Sequence, residues 1–328
     1  MDLYDSRRAE QAVLAVLSGT PVEEVSVRLD SSSGQLAEAV ELYRAAGRAA
    51  LDARSASSGW QQVNIEFTDY PSAQSAFLTY LLTPLREASA AGEIRAWWFV
   101  RKFPCWRLRL ARGPRSRAEY TPEHLREALD SAVSWGVVRR WWPSPYEAEA
   151  VAFGGAEGMR IAHGLFHADS VGLLDYLRGS GAEDGVPLDA KAVSLIITSL
   201  FLRAAGQEWG EQGDVWARVE AKRPLPDDVP PERVTAMTDA VRELLAADTE
   251  SAFAVGNSLT PLAGWASTMK RGGQILGNAG REGRLALGTR SILARHVLFH
   301  WNRMGFTTRQ QAIWARAARE AILEGTAD

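Results

Sequence analysis

The sequence is almost without cysteine: Cys105 is the only one. That excludes an intramolecular disulfide and a four-cysteine zinc site, and a lone thiol suits a reducing compartment. No stretch reaches the ~18 uncharged apolar residues that a membrane helix requires. The start, MDLYDSRRAEQAV, has neither the basic opening nor the apolar core of a signal peptide. These absences together predict a cytoplasmic protein with no membrane partner. Positive charge is not in surplus either: the net charge of −3 gives no general attraction to nucleic acid. A glycine-rich phosphate loop, a GxSxG elbow and a Cys/His dyad at a recognisable spacing are all missing.

What is present is an ordinary globular composition, 46% hydrophobic and 23% charged over 328 residues. A chain of this length buries most of its unfolded surface without metal or disulfide staples. It suits two modest domains or one large one. Twelve tryptophans ordinarily serve packing; a peptide-binding cleft walled by indoles is the sharper alternative.

Apolar periodicity predicts helices at 7–18 and 34–54, with Gly19-Thr20-Pro21 between the first and a short second helix. The run Ser55 to Gly59 reads as a flexible joint, which bounds a helical N-terminal extension at 1–58 and a catalytic domain at 59–328. The segment Gln62 to Phe67 alternates as a half-buried strand should, and strands follow near 94–100, 106–110 and 137–142. Helices are expected at 72–91 and 122–135 among them. From residue 157 onward helices dominate, at about 159–177, 189–206, 213–220, 232–247, 258–280, 285–303 and 307–323. Strands before residue 160 and helices after it predict an α+β fold, with a mixed sheet in the first half packed by helices and a helix-rich C-terminal half.

Four segments could carry chemistry. In WWFVRKFPCWRLRL (97–110), Arg107 and Arg109 share one face of a strand while Leu108 and Leu110 share the other. Adjacent guanidiniums repel unless something anionic lies between them. They form either a carboxylate- or phosphate-binding platform, with Arg101 and Trp106 nearby, or a solvated face with local acidic partners. In YEAEAVAFGG (146–155), Tyr146 and Glu147 stand beside Glu149; the two carboxylates serve acid–base work or neutralise the arginine strand. In GMRIAHGLFHADS (158–170), His163 and His167 are spaced i, i+4, with Ser170 close behind. Gly164 occupies the place where a zinc protease carries glutamate, so no metal is expected there. In ARHVLFHWNRMGF (294–306), His296 and His300 repeat the spacing beside Arg303. Either one imidazole faces a cleft and carries protons, or both are buried and hydrogen-bonded. His300 is the first choice for proton transfer, since it adjoins Asn302 and Arg303; His167 is the second.

These segments in this order, together with AGQEWGEQGDVWARV (205–219), YRAAGRAAL (43–51) and WQQVNIEF (60–67), resemble the thiopeptide-type family related to the C-terminal domain of lantibiotic dehydratases, over about residues 35 to 320. The resemblance implies work on a ribosomally made precursor peptide with a leader sequence, without a cofactor and without nucleic acid. A neighbouring dehydratase and a second copy of the chain are candidate partners. One branch of the family eliminates glutamate from glutamylated serine or threonine. Another joins two dehydroalanines in a formal aza-Diels–Alder cycloaddition, closing a pyridine and a macrocycle and expelling the leader. In lantibiotic dehydratases the tract before the double glycine resembles E-R-Y-G-G, whereas here it reads Val151-Ala152-Phe153-Gly154-Gly155. An arginine suited to a glutamyl carboxylate is thus missing at Ala152. The acidic-basic start expected near residue 190 is replaced by Asp189-Ala190-Lys191-Ala192-Val193. These departures favour the pyridine-forming branch, with glutamate elimination second and a non-catalytic peptide-delivery subunit as the alternative of another class. The expected catalytic residues are His300, His167, Arg107 and Arg109. Expected substrate contacts are Arg101, Trp106, Tyr146, Glu147, His163, Ser170, His296 and Arg303.

Overall fold

The structure, a computed structural model, describes residues 6–116, 121–179, 189–247, 253 and 259–324. The first five residues, part of the signal-peptide reading, and Ser258, where one helix was expected to begin, lie outside them. The chain divides into two compact units, Met1–Ala56 and Ser57–Asp328. The first holds helices α1 (Ser6–Leu17), α2 (Val22–Arg28) and α3 (Ser33–Ser58), with a small core of Ala12, Val13, Val25, Leu36 and Val40. The division falls within the expected joint at Ser55 to Gly59, where α3 runs through Ser58 and β1 opens at Trp60.

The second unit begins with a four-stranded sheet: β1 (Trp60–Phe67), β2 (Ile94–Lys102), β3 (Cys105–Arg112) and β4 (Val138–Ser144). The strand order is β2-β3-β1-β4, and every pairing is antiparallel rather than mixed. The two-residue connection from β2 to β3 makes that pair a hairpin, which must be antiparallel.

One face of the sheet, with Val63, Phe99, Trp106 and Leu108, packs on the helices between β1 and β4. Trp106 stacks on Phe77 at 5.0 Å and on Phe99 at 4.9 Å. Those helices are α4 (Ala73–Ala76), a π-helical turn (Phe77–Leu81), α5 (Leu82–Ala90) and α6 (Glu123–Ser134). The π turn interrupts the single helix expected at 72–91. Its cause is Pro84, which lacks the N–H that would bond back to Tyr80.

The other face looks towards the helical half. That half comprises a 3₁₀ turn (Ala150–Phe153), α7 (Gly155–Gly179), α8 (Ala190–Ala204), α9 (Trp209–Lys222), α10 (Pro231–Thr235) and α11 (Thr238–Ala246). A 3₁₀ turn (Thr260–Leu262), α12 (Ala263–Arg281), α13 (Thr289–Met304) and α14 (Thr308–Leu323) complete it. One helix was expected at 232–247. It splits into two where Thr235 and Thr238 bond their hydroxyls to backbone carbonyls instead of staying neutral in the helix.

Gly154 and Gly155 take φ of +84° and +94°, a region side chains resist. They turn the chain from the 3₁₀ segment straight into α7. Helix α13 is buried on most sides and contacts α7, α8, α9 and β2, although it carries three arginines and two histidines, so several of its polar side chains are enclosed as well. Among the described residues no helix is long and apolar enough to cross a membrane.

Candidate functional site

Strand alternation places Arg107 and Arg109 on the sheet face that looks towards α7 and α13. Arg109 lies between Trp98 of β2 and Gln62 of β1, and Arg107 between Val100 and Asn64. A cleft of about 690 Å³ opens beside them, lined by Arg101, Lys102, Arg107, Arg109, Lys222, Arg223 and Arg295. The lining includes one carboxylate, Glu149, and no histidine.

Arg109 is 8% exposed. Its guanidinium lies 4.2 Å over Trp98 and 5.1 Å from Tyr146. Nε donates to Gln62 Oε1 at 2.9 Å, while Nη1 is out of solvent and meets no acceptor. Gln62 is itself held by Ser144 Oγ at 3.0 Å, and Asn64 donates to the same hydroxyl at 2.9 Å. This row of polar side chains orients Arg109 without neutralising it. Burial lowers its pKa to about 10, so it remains a cation at neutral pH.

Arg101, at the end of β2, lies 4.6 Å over Trp106 and donates to Gln74 Oε1 at 2.9 Å. Its Nε and Nη2 have no partner, and burial lowers its pKa to about 10. Both residues line the cleft, Arg109 from one face of the sheet and Arg101 from the end of β2 on the Trp106 side, and each keeps buried N–H groups without an acceptor. A cation stripped of water and given no counterion is costly, and an anionic or carbonyl oxygen would meet that cost.

Tyr146 stands beside Arg109 and shares a hydrogen bond of 2.9 Å with His163 Nε2. Burial, reinforced by Arg109, lowers the His163 pKa to about 4, so the ring is neutral and accepts the tyrosine proton. Burial also pushes the Tyr146 hydroxyl well above its ordinary value. Glu149 bonds to Arg295 at 3.2 Å rather than to the arginine strand. Glu147 is exposed and is absent from the cleft lining.

The other expected residues lie elsewhere, for physical reasons. Trp106 is buried on the opposite face, filling the core beneath Phe77 and Phe99. His167 and Ser170 serve the free edge of β2: His167 Nδ1 lies 2.9 Å from the Trp97 carbonyl, and Phe99 N–H donates to Ser170 Oγ at 3.4 Å. An edge strand exposes unpaired backbone groups, and α7 covers these. His296 lies among Phe153, Phe166 and Phe201, and burial lowers its pKa to about 3.

His300 does not face the cleft. Its Nδ1 bonds Asp169 at 3.0 Å and its Nε2 accepts from Ser194 at 2.9 Å. Arg303 Nε donates to Asp169 at 2.7 Å, and Trp265 Nε1 adds 3.1 Å. Burial would raise the Asp169 carboxyl, but His300 and Arg303 outweigh it and hold it below the usual carboxylate range. Serine, histidine and aspartate stand in the order of a hydrolase relay, yet Ser194 and Asp169 are wholly buried. Ser194 Oγ also accepts from Trp301 Nε1 at 3.0 Å, and the adjoining space of about 10 Å³ admits no peptide. The relay is shut off from the cleft by this burial.

Sequence reasoning missed Gln62, Asn64, Lys222, Arg223 and Arg295. The two amides were findable, because the alternation of β1 sets them on one face. Among the described residues no group of three or more His, Cys, Asp or Glu could hold a metal ion.

Residues 60–322 match the family described as lantibiotic biosynthesis dehydratase C-term. The chain belongs to that family. The match begins at β1, so the segment 43–51 lies outside it. No curated protein matches the sequence. Similar solved structures include the tRNA dependent lantibiotic dehydratase MibB from Microbispora sp. 107891, with TM-score 0.58, 18% identity, and 82% of this chain covered. The likeness takes in 28% of MibB, so the chain spans less than a third of that protein. TsrL has TM-score 0.57 and 17% identity, over 80% of this chain and 94% of TsrL. The pyridine synthase TbtD, from thiomuracin biosynthesis, has TM-score 0.53 and 15% identity, over 81% of this chain and 98% of TbtD. At such identities the likeness is one of fold.

Proposed function

We propose that this lantibiotic dehydratase C-terminal family member modifies a ribosomally made precursor peptide in thiopeptide biosynthesis, closing a pyridine core from two dehydroalanines. One dehydroalanine reacts through the iminol tautomer of its amide and the other supplies its C=C bond. The six-membered ring formed by the cycloaddition then loses water and the leader peptide and becomes aromatic. The reaction is redox-neutral throughout.

The observation that carries this reading is the character of the cleft: recessed hydrogen-bond donors in excess, one ion-paired carboxylate and no imidazole. Fixed guanidinium N–H groups aimed at an amide oxygen stabilise it as charge develops during tautomerisation. A cleft holding two ends of one chain removes much of the entropic barrier to ring closure. Arg109 and Arg101 are the donors proposed to touch the peptide, with Arg107 beside them and Tyr146, backed by His163, as the nearest proton-bearing hydroxyl. The near-complete coverage of TbtD supports the same assignment.

Glutamate elimination is the second reading, and the same arginines favour it, since they would hold a departing carboxylate. It also needs a base for the α-proton, and Glu149 is engaged by Arg295. Mass spectrometry separates the readings. After incubation with a dehydrated, azole-bearing precursor, loss of the leader mass is expected. Loss of glutamate from a glutamylated peptide instead would assign elimination, and no mass change with either substrate would leave peptide delivery.

A further inference from the structure

Arg109 belongs to a row that crosses all four strands. Trp98 of β2 stands opposite Arg109, Arg109 opposite Gln62 of β1, and Gln62 opposite Ser144 of β4. Residues directly opposite share a face of the sheet, so indole, guanidinium, amide and hydroxyl lie side by side. Trp98 supports the guanidinium from one side and Gln62 bonds it from the other. The next row on this face runs Val100, Arg107, Asn64 and Trp142. Gln62 and Asn64 are both buried, and neither lines the cleft.

A glutamine amide has two N–H donors and one carbonyl oxygen, and here each has its place. Nε2 donates to Ser144 Oγ at 3.0 Å and to Asn64 Oδ1 at 3.3 Å, so Oε1 is the end left for Arg109 Nε, at 2.9 Å. Asn64 is fixed in turn, donating to Ser144 Oγ at 2.9 Å and to the Trp142 carbonyl at 3.4 Å. Ser144 Oγ therefore accepts twice, which uses both lone pairs of a hydroxyl. Turning the Gln62 amide over would set N–H against N–H at Arg109 and carbonyl against carbonyl at Asn64. Three polar side chains thus hold one uncharged acceptor in one orientation. A carboxylate would hold the same Nε, as Asp169 does for Arg303, but it would also cancel the charge. Glu149, the carboxylate that acts on Arg109 through space, is bonded to Arg295.

We propose that Gln62 is a positioning residue whose neutrality makes Arg109 available: it fixes the direction of the guanidinium through Nε and leaves the positive charge for an oxygen in the cleft. Ser144 acts one step further back, by deciding which end of the Gln62 amide faces the arginine. Neither residue touches the ligand. Glutamate has the shape of glutamine, so Gln62→Glu changes charge and donors while the volume stays. It gives Arg109 a buried counterion, which removes the cost of an unpaired cation out of water, and it takes that cation from the ligand. Stability and binding should then move in opposite directions. A glutamine that served the fold alone would lose both together. The inference rests on the proposed function only in taking Arg109 as the cation that meets the substrate, not in which ring or bond is made.

The test is calorimetric titration of the full chain with inorganic phosphate, beside urea unfolding. Gln62→Glu should bind phosphate at least ~10-fold more weakly than wild type, the loss of one charge-assisted contact, with a urea midpoint equal to or above that of wild type. Gln62→Met keeps the bulk and the neutrality but drops the acceptor. It should bind phosphate nearly as well as wild type, yet slow leader loss from the dehydrated, azole-bearing precursor at least ~10-fold through lost orientation. Ser144→Ala should slow it in the same way but less, and Ser144→Thr, which restores the hydroxyl, should recover the wild-type rate. Wild-type phosphate affinity in Gln62→Glu overturns the inference, and so does a urea midpoint below that of wild type. Equal loss of phosphate binding in Gln62→Met and Gln62→Glu overturns it too, because charge would then not be the cause. Phosphate binding is read without turnover. The expected binding pattern without pyridine formation would sink the proposed reaction alone, and turnover with phosphate affinity unchanged in Gln62→Glu would sink this inference alone.

Discussion

Two arginines stacked on neighbouring rings make opposite use of the same side chain. Arg303 lies 5.0 Å over Phe166 and Arg109 lies 4.2 Å over Trp98, and these two rings are 4.5 Å apart. Arg303 is tied to a buried carboxylate, Asp169, which also takes His300 and Trp265. Arg109 has only the neutral amide of Gln62, while in both arginines Nη1 is buried without an acceptor. The first arrangement is closed and holds α7, α12 and α13 together. The second is open on a cleft and is available to a ligand. What separates the two arginines is the charge of the partner, not burial or aromatic support.

The comparison breaks most visibly at Asp169. Replacing it with asparagine leaves Arg303 buried without a counterion and puts an amide NH2 donor where one of the two oxygens shared by His300, Arg303 and Trp265 had been. A loss of ~3–5 kcal/mol is expected, read as a fall in the urea midpoint. A loss below ~1 kcal/mol would mean that the knot does not hold the helices.

Acid should act next, through one buried histidine beside each region. His163 and His296 are neutral in the fold, with pKa about 4 and about 3, against ~6.5 when unfolded. The unfolded chain therefore binds more protons, so their contribution is whole above pH ~6.5 and is lost as pH falls towards those values. Urea unfolding should show up to about 1.4 kcal/mol per pH unit for each histidine. His296→Phe should remove its share of that slope; an unaltered slope would contradict the assignment.

A smaller effect is expected from His300→Phe. The ring's volume stays, but Asp169 and Ser194 each lose a partner, at ~1–3 kcal/mol of stability. Activity per folded molecule should remain within about threefold of wild type. A hundredfold loss of rate in a folded variant would return His300 to the chemistry and erase the distinction between the two regions.

The contrast also explains what could be seen in the sequence. Period-two alternation along 105–112 put Arg107 and Arg109 on one face, and the structure has them there, because strand pleating allows nothing else. Helix spans in the second half were legible from their apolar stripes, to within a few residues for most. The i, i+4 spacing of His296 and His300 set them on one helical side, but spacing does not say which way that side points. Helix α13 is enclosed nearly all round, so both rings turned inward. The partners that decide the matter are far away in sequence: Asp169 lies 131 residues from His300, and Gln62 lies 47 from Arg109. Lys222 and Arg295 line the cleft from helices that carry no motif. No local pattern encodes such meetings.

The most direct test of the account is Arg109→Lys. Lysine keeps the positive charge but loses the planar fork and its fixed N–H directions, and nothing in the Asp169 knot is touched. Single-turnover mass spectrometry on the dehydrated, azole-bearing precursor should show the rate of leader loss falling at least ~10-fold, with the urea midpoint changed little. A wild-type rate in the folded lysine variant would contradict the claim that the open cleft, rather than the buried knot, carries the chemistry.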